Sequence, residues 1–270
     1  MADLDLSNTR VTYSNVRDSN LSGVLLKGAR WDGCFFDSSN LSSADLSDGI
    51  FTSCSFIDTC LVNTVLSGAD LSGINASSAL LDHCIANHSN FTKATLVYAK
   101  LLGGTFRGAI FAGSVARESI FESVDMKGAD LSDGVFSGAI FKSVNLSDAA
   151  CVGANFEKVE MRDINLSGSD LSNAFLAGAN LSGVNFRGAN LSNANLQGTN
   201  LAGANLNGAQ LIGSNLQEAD LRGASLEKTA VAGANFANAK LDDSFIRQSG
   251  LLAHVQGQAT NSKALALRLI

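Results

Sequence analysis

One five-residue register runs through most of this chain, with an apolar residue at every fifth position from Leu6 to Leu251. Nearly all of these central residues are Leu, Phe, Val, Ile, Met or Trp, and the residue two positions earlier is mostly Ala, Ser, Thr, Cys or Gly. A period of five matches neither the 3.6-residue period of an α-helix nor the two-residue period of a strand. Fixed self-similarity of this kind indicates a repeat architecture in which short units stack on one another.

The composition narrows the class of protein. The chain has 270 residues, no proline and a net charge of −6, with acidic and basic residues interspersed. A ladder of stacked turns needs its backbone amides, and proline would remove one wherever it occurred. The charge balance argues against a nucleic-acid-binding protein with a basic surface.

No apolar run approaches the length of a membrane span, and the first ten residues do not resemble a signal peptide. Five cysteines without framework spacing fit a reducing compartment. We therefore expect a cytoplasmic protein without a membrane partner.

The repeats resemble the pentapeptide-repeat family, whose consensus is Ala-(Asp/Asn)-Leu followed by two variable residues. The resemblance is carried by Ala-Asn-Phe at 154–156, Ala-Asn-Leu-Ser-Gly at 179–183 and Ala-Asp-Leu-Arg-Gly at 219–223. It implies an all-β solenoid, a right-handed quadrilateral β-helix with four repeats per coil. The 50 repeats then make about 12 coils. We take residues 1–251 as the β-helix and 252–270 as a separate C-terminal segment.

The repeat also predicts where side chains point. The central residue and the small residue two positions earlier face inward, since side chains alternate along an extended segment. Of the 26 glycines, 21 stand two residues after a centre, where a tight corner favours a residue that tolerates positive φ. Residues 20 apart should stack in columns, which pairs the aromatic residues Trp31 with Phe51, Phe36 with Phe56, Phe91 with Phe111, Phe121 with Phe141, and Phe136 with Phe156.

No catalytic constellation stands out, so the sequence indicates a non-enzymatic protein without a cofactor. His83, Cys84 and His88 have the spacing of metal ligands, but the repeat turns Cys84 inward and places the two histidines at successive corners, so a metal site is not expected. Cys34 and Cys54 should be stacked neighbours, and we expect both to be reduced and buried.

The family resemblance implies one candidate function. Some members are rods with acidic faces that mimic DNA, bind DNA gyrase or topoisomerase IV, and protect these enzymes from antibiotics that poison them. This chain is most similar to the loop-free members, such as the fluoroquinolone-resistance proteins of mycobacteria, because no insertion interrupts its register. The residues predicted to contact such a partner are acidic: Asp125, Asp130, Asp133, Asp148 and Asp170. The alternative is that these carboxylates only solvate a soluble rod.

A second candidate function is a rigid protein–protein interaction scaffold with no topoisomerase role. Apolar residues occur just before many centres, a position that should face water, and a contiguous exposed apolar patch usually marks an interface. The predicted partner surface is Ile110, Val115, Ile120 and Ile140, of which Ile120 and Ile140 should be stacked neighbours. These residues could also pack locally along the rod.

The register stops after Leu251, and residues 263–270 are predicted to form a short helix. A solenoid end exposes unpaired strand edges, so this helix is either a terminal cap or a homodimer contact. Its apolar residues are Leu265, Leu267, Leu269 and Ile270.

Overall fold

The computed structural model describes residues 4–242, which form a parallel β-solenoid with 20 residues per coil. Parallel bridges, most of them isolated, join each residue just before a centre to the residue 20 positions later, from Asp5↔Leu25 through Asp220↔Lys240. The all-β solenoid predicted from the repeat is therefore confirmed. The described part contains just under twelve coils, slightly fewer than expected. Residues 263–270, predicted to be helical, and the 252–270 segment lie outside the described part.

Each coil has four bridging positions, and these define four sides of the rod. Side 1 contains the bridge column that starts at Asp5, and sides 2, 3 and 4 contain the columns that start at Arg10, Asn15 and Asn20. The chain visits the sides in this order, so sides 1 and 3 lie opposite each other, as do sides 2 and 4. A corner of two residues joins each side to the next.

Every corner from residue 8 to residue 238 has its second residue at positive φ, and 26 of these residues are not glycine. At most corners the amide after the corner donates to the carbonyl of the centre before it, as in Ala29 N to Leu26 O at 3.0 Å. Positive φ confined to the second corner residue, together with this hydrogen bond, is the geometry of a type II turn. The repeat is thus an extended segment followed by a left-handed corner.

At six corners the strand pairing extends to the first corner residue and gives short strands. On side 2, β1 (Arg10–Thr12) pairs with β2 (Arg30–Asp32). On side 4 a four-stranded parallel sheet runs in chain order, and its strands are β3 (Lys100–Leu102), β4 (Ile120–Glu122), β5 (Ile140–Lys142) and β6 (Glu160–Arg162).

The core is one continuous apolar cluster along the rod axis. Four of the predicted aromatic columns are stacked pairs: Phe36 and Phe56 at 4.6 Å between ring centroids, Phe91 and Phe111 at 4.9 Å, Phe121 and Phe141 at 4.6 Å, and Phe136 and Phe156 at 5.3 Å. Trp31 differs from the prediction, because its indole stacks on Phe36 of the same coil at 5.4 Å. The indole Nε1 donates to Thr9 Oγ1, which fixes the ring orientation.

Asparagine side chains form hydrogen-bonded ladders on the outside of the rod. On side 1, Asn145 donates to Asp125, Asn165 to Asn145, and Asn185 to Asn165, over 2.9–3.3 Å. The Oδ1 atom of each ladder residue also accepts the amide two residues later, as in Ser167 N to Asn165. Each amide side chain thereby links its own coil to the next.

Candidate protein-interaction surface

An apolar ridge runs along the corner between sides 3 and 4. On side 3, Val115 and Val135 are bridge partners in adjacent coils, and on side 4 Ile120 and Ile140 are Cα partners in β4 and β5. Sides 3 and 4 meet at the corner between residues 115 and 120, so the two apolar rows flank one edge of the rod. We define the apolar ridge by its seven members: Leu80, Val97, Tyr98, Val115, Ile120, Val135 and Ile140.

The exposure of the ridge follows from the repeat. The residue before each centre points outward, because the centre itself points into the core. Ile140 is 39% exposed and Tyr98 is 61% exposed, while Val115, Ile120 and Val135 are half-buried. Apolar side chains at outward and corner positions of four neighbouring coils therefore share this edge of the rod.

Tyr98 adopts a backbone conformation that is unfavourable for a bulky residue. It is the second residue of its corner, with φ of 60°, and its amide donates to Arg117 O at 3.1 Å. Left-handed φ is uncommon for residues other than Gly, Asn and Asp, and costs about 1–2 kcal/mol for an L-residue with a Cβ. The solenoid ladder on both sides of the corner holds this conformation, and an aromatic ring is presented to solvent there.

Several charged residues border the ridge, and three of them form no ion pair within residues 4–242: Lys100, Arg117 and Glu118. Lys100 lies on side 4 between Leu80 and Ile120, to which it is joined by bridge pairs, and Arg117 is the first corner residue after the inward Ala116. Both cations are exposed, and neither forms an ion pair with any residue in the 4–242 range. The Glu118 carboxylate, although adjacent in sequence to Arg117, lies against Gly138 of the next coil.

The structure brings together three of the four apolar residues predicted from the sequence. Val115, Ile120 and Ile140 belong to the ridge, and the predicted stacking of Ile120 on Ile140 is confirmed. Ile110 does not belong, because its column is on side 2, opposite Ile120 on side 4. The ten residues from Ile110 to Ile120 pass two corners, which is half a coil, so the two side chains lie on opposite sides of the rod. Val97 and Tyr98 were not among the residues predicted for this surface, although the 20-residue period places both at the same corner as Arg117.

The five predicted acidic residues do not form one continuous stripe. Asp130 and Asp170 share side 2, but Ala150 lies between them in the bridge column. The Asp130 carboxylate accepts the Ser132 amide at 2.9 Å, and that of Asp170 accepts the Ser172 amide and the Asn190 side chain. The backbone therefore uses one oxygen of each carboxylate.

Two acidic residues of the predicted set are neutralised by neighbouring cations. Asp125 pairs with Arg107 at 2.6 Å, and Asp148 pairs with Lys127 at 3.3 Å. Asp133 is exposed at a corner with φ of 56° and, like Asp130 and Asp170, forms no ion pair within the described residues. The set therefore offers three free carboxylates on and beside side 2.

The described residues do not assemble a metal site or a catalytic centre around the three histidines. Cys84 is fully buried and its thiol donates to Leu61 O at 3.0 Å, and burial raises its pKa to about 12. His83 and His88 are exposed at successive corners, where their rings lie against Gly103 and Gly108 of the next coil. No group of three or more His, Cys, Asp or Glu residues between residues 4 and 242 is arranged to hold a metal ion.

Two further predictions bear on partners. Over the described range, the chain has no helix of the length and apolar character needed to cross a bilayer. The residues predicted for a homodimer contact lie outside the described residues: Leu265, Leu267, Leu269 and Ile270.

The comparison with protein families gives a match over most of the chain. The model for pentapeptide repeats matches in eight copies, over residues 19–56, 59–96, 77–113, 119–156, 149–188 and 189–227. A comparison with curated proteins finds no match.

Solved structures with a similar fold include pentapeptide-repeat proteins. One is HetL, a pentapeptide-repeat protein involved in the regulation of heterocyst differentiation in the cyanobacterium Nostoc, at 25% identity over 89% of this chain and 90% of that chain, with a TM-score of 0.32. Another is QnrB1, a plasmid-mediated fluoroquinolone-resistance protein, at 20% identity over 93% and 99%, with a TM-score of 0.35. A third, from the thylakoid lumen of Arabidopsis thaliana, has 28% identity over 44% and 72%, with a TM-score of 0.27.

Proposed function

Since the chain belongs to the pentapeptide-repeat family, we propose that it is a non-enzymatic protein-binding rod and that the apolar ridge is its contact surface. The observation that carries the proposal is the ridge itself, where the ring of Tyr98, 61% exposed, shares one edge of the rod with apolar side chains of nearby coils. An exposed apolar patch of this kind usually marks a protein–protein interaction site. A cytoplasmic location remains a prediction of the sequence.

Rigidity supports this function. Every coil is hydrogen-bonded to both neighbours, so the ridge residues are already ordered before a partner arrives. A preordered surface avoids much of the conformational cost of association. Tyrosine is enriched among interface residues that dominate binding energy, and half-buried aliphatic neighbours exclude water around such a residue. Tyr98 has this arrangement by position, since half-buried Val115 and Ile120 stand on the two sides that meet at the same corner in the next coil.

The test uses a photo-crosslinking amino acid at position 98, with position 13 as the matched control. Tyr13 is also an exposed tyrosine at positive φ, but its corner lies between sides 2 and 3, away from the ridge. We expect a protein from the native host to crosslink at position 98 and not at position 13. The purified partner should then bind the Ile120→Ser/Ile140→Ser variant at least tenfold more weakly than the unchanged rod. Equal crosslinking at both positions, or unchanged affinity for the double variant, contradicts the proposal.

A second candidate is protection of DNA gyrase or topoisomerase IV by a DNA-mimicking surface, which would make the protein an antibiotic-resistance factor without direct nucleic-acid binding. Its supporting observation is that Asp130, Asp133 and Asp170 have carboxylates without an ion-paired cation among the described residues. The pairing of Asp125 and Asp148 with cations weakens this candidate, because it interrupts the negative field that a DNA mimic needs.

The gyrase candidate is tested by a supercoiling assay with and without a gyrase poison. Rescue of supercoiling by the rod, with loss of that rescue in Asp130→Asn/Asp133→Asn, supports topoisomerase protection. The Ile120→Ser/Ile140→Ser variant is the control, since its substitutions lie on side 4, opposite the Asp130 column. No rescue at micromolar rod concentration removes this candidate and leaves the ridge.

A further inference from the structure

Two cations set into the apolar ridge limit which partner can cover it. Lys100 and Ile120 are Cα partners in β3 and β4, and Arg117 stands three residues before Ile120 at the same corner. Any partner that packs on Ile120 therefore approaches both cations. Neither has a carboxylate from residues 4–242 within ion-pair distance.

A purely apolar partner is excluded by the cost of burying these charges. Covering an unpaired ammonium or guanidinium removes its hydration, and this penalty is large unless a carboxylate or a set of hydrogen-bond acceptors replaces the water. The planar guanidinium of Arg117 suits a bidentate carboxylate, and the Lys100 ammonium suits a single oxygen.

The acidic side chain that follows Arg117 in the sequence does not meet this need. The Glu118 carboxylate lies against Gly138, which is one coil beyond Arg117 at the same corner. The Glu118 carboxylate therefore does not pair with Arg117, and its negative charge lies one coil farther along the ridge. The charges without an ion pair around Ile120 are therefore two cations, followed by the Glu118 carboxylate; Glu122 also lies beside Ile120 in β4, but it is paired with Lys142.

From this pattern we propose that the ridge binds a protein segment whose apolar side chains are accompanied by aspartate or glutamate, with the carboxylates facing Lys100 and Arg117. This inference rests on the proposed function, because it names the chemistry of the partner for the same ridge. A protein segment fits better than an anionic membrane. A segment can place its carboxylates at Lys100 and Arg117 alone, whereas a surface of anionic lipid headgroups would also meet Glu118, which has the same sign of charge.

The experiment is a selection of random 12-residue peptides displayed on phage against the purified rod, with removal of clones that also bind Ile120→Ser/Ile140→Ser. We expect the remaining clones to be enriched in Asp or Glu next to Leu, Ile, Phe or Trp. A synthetic peptide from this pool should bind Lys100→Gln/Arg117→Gln at least tenfold more weakly, and its affinity for the unchanged rod should fall as salt is raised. Lys93→Gln, an exposed cation at the corner between sides 2 and 3, is the matched control and should bind normally.

The outcomes separate the inference from the proposed function. Ridge-dependent peptides without acidic residues, or with unchanged affinity for Lys100→Gln/Arg117→Gln, overturn the partner chemistry and leave the ridge as an interface. If no clone depends on the ridge, both proposals fail. Ridge-dependent binding to phosphatidylserine vesicles, in the absence of acidic peptide clones, also overturns the inference. Thermal unfolding of each variant, expected to match that of the unchanged rod, establishes that binding losses are local.

Discussion

Gly104 lies directly against the backbone of Cys84 in the preceding coil. A β-carbon on Gly104 would come within 2.9 Å of the Cys84 nitrogen and closer still to its carbonyl oxygen, and its φ is +86°. Gly104 is also the inward residue of its repeat rather than a corner residue. It therefore meets two separate restrictions, one steric and one conformational.

We expect Gly104→Ala to lower the free energy of unfolding by several kcal/mol, because the backbone of an adjacent coil cannot move away as a side chain can. Gly128→Ala is the matched control: φ is +67°, but nothing lies within 4 Å of the added carbon. It should cost only the left-handed penalty of about 1–2 kcal/mol. Urea unfolding followed by circular dichroism measures both, and equal losses would contradict the steric explanation.

Tyr98 offers a test of backbone strain at the ridge. Tyr98→Gly should unfold with a free energy about 1 kcal/mol higher than that of Tyr98→Ala, because both remove the ring but only glycine removes the left-handed penalty at φ of 60°. The difference is read from denaturant midpoints. If the alanine variant is the more stable of the two, the corner is not strained.

The asparagine ladder on side 1 predicts a graded effect at Asn165. Asn165→Ala removes the bonds to Asn145, Asn185 and the Ser167 amide, and should cost about 1–3 kcal/mol. Asn165→Asp keeps the two acceptor bonds and loses only the donor, so it should cost less at neutral pH. Thermal unfolding of the two variants gives the order, and a more harmful aspartate would show that the donor bond dominates.

The cysteines should differ sharply in reactivity. Burial raises the pKa of Cys54 and of Cys84 to about 12, and burial also raises the pKa of Cys151. The thiolate is the reactive form of cysteine. Cys34 is also buried, whereas Cys60 is half-buried at an outward position on side 4.

Titration of the native protein with a chromogenic disulfide reagent should therefore show one fast thiol, which Cys60→Ser removes. The other four should react only after unfolding in urea. Two or more fast thiols in the native protein would contradict the buried placement.

Acid sensitivity near the last described coil depends on Asp220. The hydrogen bonds from Arg222, at 2.9 and 2.6 Å, together with its charge and that of Lys240, lower the pKa of Asp220 to about 2. Asp220 is therefore still ionised in the native state at a pH where the same side chain in the unfolded chain, with a pKa near 3.8, is already protonated. The stability that this pair contributes is fully present above pH 3.8 and is lost as the pH falls towards 2.

Arg222→Gln should raise the pKa of Asp220 towards its ordinary value, which carboxyl NMR shifts will report. The stability difference between the variant and the unchanged protein should be largest above pH 4 and shrink as the pH approaches 2. A difference that grows on acidification would contradict this assignment.

The 20-residue coil made much of the fold predictable. Four aromatic columns follow from it, because identical positions in successive coils must lie above one another. The period did not predict the orientation of the Trp31 ring, because that orientation depends on side-chain contacts with the Thr9 hydroxyl and with Phe36. The prediction for Ile110 was wrong for a different reason. Its exposure was predicted correctly, but it was grouped with Ile120 although half a coil separates the two residues and puts them on opposite sides of the rod.

Three features of the fold could be predicted from the amino-acid pattern alone: the inward register, the positions of the corners and the pairing of each residue with the one 20 positions later. These follow from a periodic pattern, because burying one apolar row forces every other position. The ion pairs required the three-dimensional structure: Arg107 and Lys127 neutralise Asp125 and Asp148, whereas Lys100 and Arg117 have no ion pair within residues 4–242. Such features depend on where flexible side chains end in space, which spacing along the chain does not specify.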